Sequence, residues 1–128
     1  MPDFIIVNAQ KLGTTAMYDY LSNHPQIIPC VKKEIHFFGW YYKYAGGKAY
    51  YRQHFPLSSE KEDGGLTFEA TPNCLYHPIA PKKTYSMLGD AKILFLLRNP
   101  VQRAISHYWR EYNVVGSEYL STEKANVL

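Results

Sequence analysis

The sequence predicts an α/β fold with a mostly parallel sheet flanked by helices, and three observations carry that reading. Short apolar runs alternate with helical patterns along the whole chain, the signature of strand–helix–strand units. The first run, Phe4-Ile5-Ile6-Val7, passes through a polar Gly-containing turn straight into a helix. A later run, Ala91–Leu97, is apolar almost without interruption, as expected of a central parallel strand covered on both faces.

In order, Phe4–Val7 is dense in β-branched residues and reads as a buried strand. Thr14 to Asn23 carries apolar Ala16, Met17, Tyr20 and Leu21 and reads as a helix. It stops at His24-Pro25, because proline disfavours helix at the residue before it. Ile27-Ile28 is a candidate second strand. In Lys32–Phe38, strand-like alternation would place Glu34, His36 and Phe38 on one face and Lys33, Ile35 and Phe37 on the other. Trp40–Tyr51 is aromatic and broken by Gly46-Gly47. Either an acceptor-contacting lid or a core-wrapping loop suits it, with a short helix over Lys48–Phe55. Ser58–Gly65 reads as a solvated loop. Leu66–Glu69 is a third strand, and Pro78–Leu88 a helix with Pro81 in its tolerant first turn. Asn99 and Pro100 are a good N-cap and first residue for a helix to about Tyr112. Its apolar stripe is Ile105, Tyr108, Trp109 and Tyr112.

A length of 128 residues bounds the chain to one domain. We divide it into 1–113 and a tail, 114–128, of open structure. A net charge of +3 suits an anionic ligand without calling for nucleic acid. Cys30 and Cys74 lack zinc or Cys-x-x-Cys spacing and read as free buried thiols in preference to a disulfide. No signal peptide or membrane segment is legible. The chain is expected to be cytoplasmic as written, or lumenal in the Golgi if it is an excised catalytic piece.

The turn after the first strand, Asn8-Ala9-Gln10-Lys11-Leu12-Gly13, leads into Thr14-Thr15. A helix N-terminus offers unpaired N–H groups and partial positive charge to an anion. Lys11 adds a full charge, and Thr14 and Thr15 can cap the helix or donate hydroxyls. The spacing rejects the nucleoside-triphosphate P-loop, in which Lys follows the second Gly; here Lys11 precedes Gly13. Lys11 and Arg98 both follow strand carboxyl ends, so both are expected at one crevice. No metal-ligand cluster is visible.

Four stretches stand together: Gln10–Thr15, Lys33-Glu34-Ile35-His36-Phe37-Phe38, Glu69-Ala70-Thr71-Pro72, and Leu97-Arg98-Asn99-Pro100 with Arg103 and Ser106. In this order they resemble the sulfotransferases that use 3′-phosphoadenosine 5′-phosphosulfate (PAPS), above all the heparan sulfate and carbohydrate branch. The resemblance covers roughly Phe4 to Tyr112. It implies a three-layer fold of P-loop-NTPase-like architecture, here incomplete, and sulfuryl transfer to a hydroxyl or amine, with carbohydrate the favoured acceptor. It also implies roles. Gln10, Lys11, Leu12, Gly13, Thr14 and Thr15 form the 5′-phosphosulfate loop. Arg98 and Ser106 bind the 3′-phosphate. Glu34 matches the catalytic base, with His36 beside it.

The chain departs from that branch in two ways. Ala70 stands where Lys is frequent, and the family's domain is usually about twice as long. A catalytically incomplete module that binds PAPS or its product adenosine 3′,5′-bisphosphate is therefore the alternative, with self-association or a missing C-terminal part as its partner. A nucleotide kinase is a distant third. Ordinary roles stay open for single residues: an ion pair of Glu34 with Lys32 or Lys33, orientation of Glu34 by His36, an Arg98–Glu69 pair, and a Ser106 bond back to its own helix.

Overall fold

The computed structural model describes residues 1–61 and 64–125. Glu62 and Asp63 of the polar loop and the last three residues of the tail lie outside them. The chain divides into two compact units, Met1–Leu97 and Arg98–Leu128.

The first unit is built on four strands: β1 (Phe4–Val7), β2 (Ile27–Pro29), β3 (Leu66–Ala70) and β4 (Lys92–Phe95). Their order is β2-β3-β1-β4, and every neighbouring pair is parallel. Helix α1 (Thr14–Ser22) joins β1 to β2, moving one way across the sheet. The connection from β3 to β4 moves the other way. Its helix, numbered after two short ones described next, is α4 (Ala80–Leu88). Right-handed crossovers in opposite directions put their helices on opposite faces. The side chains sort accordingly, with period two. Ile6, Phe68 and Ala70 pack with Met17, Tyr18 and Leu21 of α1. Ile5 and Val7 pack with Phe37, Phe38, Tyr51, Phe55 and Ala80. The sheet is thus the middle of three layers. Of the apolar residues expected on this helix, Met17 and Leu21 pack on the sheet while Ala16 and Tyr20 are exposed, and Tyr18 packs in their place.

Two short helices, α2 (Tyr41–Ala45) and α3 (Gly47–Arg52), follow the segment after β2. Gly46 lies between them, and Gly47, the first residue of α3, turns the chain at a φ of 68°, left-handed backbone that glycine adopts without steric cost. The aromatic stretch divides in function. Tyr51 is fully buried, edge-on to Phe38 and Phe55 at 5.1 and 5.0 Å. Tyr41 and Tyr42 are exposed. The second half therefore wraps the core.

Two expectations are corrected. Residues 32–38 form no strand; Glu34 and His36 take left-handed backbone, at φ 58° and 56°. Ile35, Phe37 and Phe38, all buried, anchor this irregular strap in the core. Strand β4 is the sheet's edge among the described residues, with Ile93 and Phe95 about half exposed. Continuous apolar character says that a strand can be covered on both faces, and not that it is.

Cys30 and Cys74 are free and buried, as expected. Burial, with Glu69 adding to it, pushes both thiols up to about 12, so neither is a nucleophile near neutral pH.

Among the described residues, the second unit holds one helix, α5 (Pro100–Ala125), longer than the expected end at Tyr112. Asn99 caps it as expected: its Oδ1 accepts the N–H groups of Val101 and Gln102 at 3.0 and 3.3 Å. The rings of Tyr108, Trp109 and Tyr112 contact one another along the stripe, at 5.6 to 6.1 Å.

Candidate active site

The loop at the carboxyl end of β1 begins at Asn8, which is fully buried. Its Nδ2 donates a short hydrogen bond to Thr14 Oγ1, six residues on. This clasp ties the strand's end to the helix's first residue and closes the loop between them. Within it Lys11 takes φ 69° and Gly13 φ 90°. Gly13 is the N-cap of α1 and makes no side-chain cap; a Cβ there would meet nothing within 4 Å but would sit on strained backbone. Gln10, Lys11 and Leu12 are half-buried, and Gly13 and Thr15 exposed. The six loop residues expected to act together are thus contiguous around the start of α1. Thr14 differs from the rest in being buried: its Oγ1 accepts from Asn8 and still has its own proton to give. No acidic residue occupies the first turn of α1, which leaves its positive end uncompensated by carboxylate.

The strap after β2 is fastened to this loop. Lys33 Nζ donates to Thr15 Oγ1 at 2.8 Å and lies 5.6 Å from the Tyr18 ring centroid. The next residue is Glu34. Its Oε2 lies 3.4 Å from His36 Nε2, with the carboxylate side chain 41% exposed and the imidazole 17%. The expected pairing of Glu34 and His36 therefore stands, although left-handed backbone produces it and strand alternation does not. Two such residues cost about 1–3 kcal/mol each, offset by the burial of Ile35, Phe37 and Phe38. Further bonds fix the strap: Lys43 Nζ donates to Ile35 O at 2.5 Å, and the His36 ring stacks on Trp40 at 4.9 Å. The His36 N–H donates to Thr71 Oγ1 at 3.3 Å.

Burial lowers the His36 imidazole below its ordinary value, against the pull of Glu34. The ring is thus neutral near pH 7, and with its proton on Nε2 it orients the Glu34 carboxylate. Nδ1 is buried without a hydrogen-bond partner among the described residues. The unfolded chain takes up this proton first as pH falls. The stability that His36 contributes is therefore present above about 6.5 and lost as pH falls through the lowered folded value. In thermal unfolding followed from about pH 7 to pH 5, wild type is expected to lose more stability than His36→Asn. Parallel profiles would contradict the assignment.

Sequence reasoning missed three residues of this site: Asn8, Lys33 and Thr71. Each had a signal. Asn8 is the first polar residue after the strand, and Lys33 and Thr71 lie inside two of the four stretches that carry the resemblance. Ala70, at the position of the expected Lys, is fully buried beside Ile6 and Phe68. Arg98 and Ser106 belong to the second unit. Arg98 immediately precedes the Asn99 cap, and Ser106 lies one turn beyond Arg103 on α5.

A parallel sheet flanked by helices, with a loop after its first strand and a carboxylate–imidazole pair on a strap bonded to the helix that follows, defines an α/β protein of three layers. Comparison with known proteins makes the class specific. The family model described as "Sulfotransferase domain" matches residues 1–126, and the chain belongs to this family. It is 36% identical over its whole length to the membrane-associated sulfotransferase kil1 of Dictyostelium discoideum, and spans 29% of that protein. Over 84% of its length it is 37% identical to human heparan sulfate glucosamine 3-O-sulfotransferase 6, spanning 30% of it. A crystal structure of a sulfotransferase from Alicyclobacillus acidocaldarius superposes with a TM-score of 0.71 at 34% identity, covering 88% of this chain and 51% of that one. The chain thus spans less than a third of these curated relatives. Family membership implies a sulfuryl donor.

Proposed function

We propose that the chain carries the donor loop and general base of a PAPS-dependent sulfotransferase acting on a carbohydrate hydroxyl or amine. The observation that carries this reading is the 2.8 Å bond from Lys33 to Thr15, which fastens the Glu34 strap to the first turn of α1. An anion at the loop and a proton acceptor for the nucleophile then belong to one site. The donor set fits a 5′-phosphosulfate: backbone N–H groups at the start of α1, the Lys11 charge, and no carboxylate in the first turn.

Sulfuryl transfer resembles phosphoryl transfer, a loose in-line displacement governed by positioning and charge. Glu34 takes the acceptor's proton as its oxygen bonds to sulfur and the bridging sulfur–oxygen bond breaks. Lys11 stands at the departing phosphate oxygen and balances its growing charge. His36 holds the carboxylate. Arg98 and Ser106 bind the 3′-phosphate, which distinguishes PAPS from ATP. Heparan sulfate enzymes among the relatives support a carbohydrate acceptor. The membrane-associated relative leaves the compartment open; no helix among the described residues is long and apolar enough to cross a membrane.

The chain's share of its relatives' length favours a second reading, a donor-binding part that needs further polypeptide for transfer. Incubation with sulfur-labelled PAPS and desulfated or partly sulfated heparan chains separates the two. Label in the polysaccharide supports transfer. Donor binding without label supports the second reading, and neither would overturn both.

A further inference from the structure

Glu69 is a buried ionisable residue that the proposed mechanism does not use. It is 2% exposed, and both its oxygens are engaged. Oε2 accepts a short hydrogen bond from the Tyr51 hydroxyl, and Oε1 accepts from Thr71 Oγ1 at 2.6 Å. Thr71, itself 3% exposed, is the link outward. A threonine hydroxyl has one proton to give and lone pairs with which to accept. The proton points at Glu69, so the oxygen's lone pairs are left to the His36 backbone N–H at 3.3 Å. That N–H belongs to one of the two left-handed residues of the strap. A bond on the backbone at this point selects the conformation that brings His36 Nε2 to Glu34.

We propose that Thr71, its hydroxyl aimed by Glu69, is a positioning residue for the Glu34–His36 pair. Tyr51 fixes the far side of Glu69, so the aromatic core and the His36 backbone are joined by one chain of hydrogen bonds: Tyr51, Glu69, Thr71, His36 N–H. The inference rests on the proposed sulfuryl transfer as far as its catalytic consequence goes. Its structural part stands alone.

The test compares wild type with Thr71→Val, which keeps the shape and removes the hydroxyl, and Thr71→Ser, which restores it. Two readouts are taken: the kcat and donor KM of sulfuryl transfer, and hydrogen exchange at the His36 amide. Thr71→Val is expected to lower kcat about 30-fold with donor KM within about twofold, since small misplacements of a catalytic group are costly. Its His36 amide exchanges faster, and Thr71→Ser recovers both values. Glu69→Gln, which can satisfy only one of its two donors, should move both readouts the same way if Thr71→Val does not fold. Unchanged His36 exchange in both Thr71→Val and Glu69→Gln would overturn the proposal. If the wild-type chain transfers no sulfuryl group, the functional reading fails while exchange at His36 still decides the positioning.

Discussion

Replacing Lys11 by alanine is expected to lower kcat by about 10²–10³, the effect of removing one preorganised donor from a developing oxyanion, or roughly 3–4 kcal/mol of barrier. The loss falls on kcat because negative charge on the bridging oxygen is greatest as the sulfur–oxygen bond breaks. Ground-state binding of the donor changes less, since the N–H groups at the start of α1 remain. The substitution leaves the fold intact: Lys11 is a loop residue, half-buried, and the loop is closed by the Asn8–Thr14 clasp on either side of it. Alanine is preferred to glycine for this test because position 11 is left-handed at φ 69°, and glycine would add backbone freedom as well as remove charge. Steady-state kinetics beside a melting curve checks the expectation. A fall in stability equal to wild type's whole margin, or a rise in donor KM with kcat unchanged, would assign Lys11 to folding or to uniform binding.

Glu34→Gln is expected to cost about 10²–10⁴ in kcat, the range for a positioned general base. Glutamine keeps the side chain's length and can still accept from His36 Nε2 through its carbonyl oxygen. What it loses is the ability to take the acceptor's proton. Donor affinity should change far less than kcat, because Glu34 lies outside the first turn of α1, which itself holds no carboxylate. The contrast between the two substitutions is informative: Lys11 acts on the leaving group and Glu34 on the nucleophile, so a nucleophile of lower pKa should rescue Glu34→Gln and leave Lys11→Ala as it was. Acceptor series of graded acidity would read this directly. Equal rescue of both would contradict the division of roles.

The sequence was most legible where structure is local. The β-branched run Phe4–Val7 and the helix after Gly13 are short-range features, and the Asn99-Pro100 start of α5 is set by capping geometry. The stretches that carry the resemblance are local as well, three of them unbroken runs. What failed to show was tertiary. Residues Lys33–Phe38 alternate like a strand, yet Ile35, Phe37 and Phe38 are all drawn into the core, and backbone that buries neighbours on successive positions must turn. No alternation rule sees the Thr71 hydroxyl or the Lys43 ammonium that hold that turn. The bond that Thr14 accepts from Asn8 was not legible either, because it depends on where β1 ends. Strand β4 looked central because its composition permits cover on both faces, whereas strand order places it at the edge among the described residues.

The central claim is a nucleotide site that requires a 3′-phosphate, and calorimetric titration with adenosine 3′,5′-bisphosphate, with ADP as control and Arg98→Ala beside it, tests it most directly. Charge-assisted bonds to a phosphate contribute about 1.5–3 kcal/mol, so the bisphosphate is expected to bind roughly 10–100-fold more tightly than ADP, and Arg98→Ala to abolish most of that preference. Equal affinity for the two nucleotides, or a preference untouched by Arg98→Ala, would contradict the assignment of this chain to PAPS chemistry through the residues named.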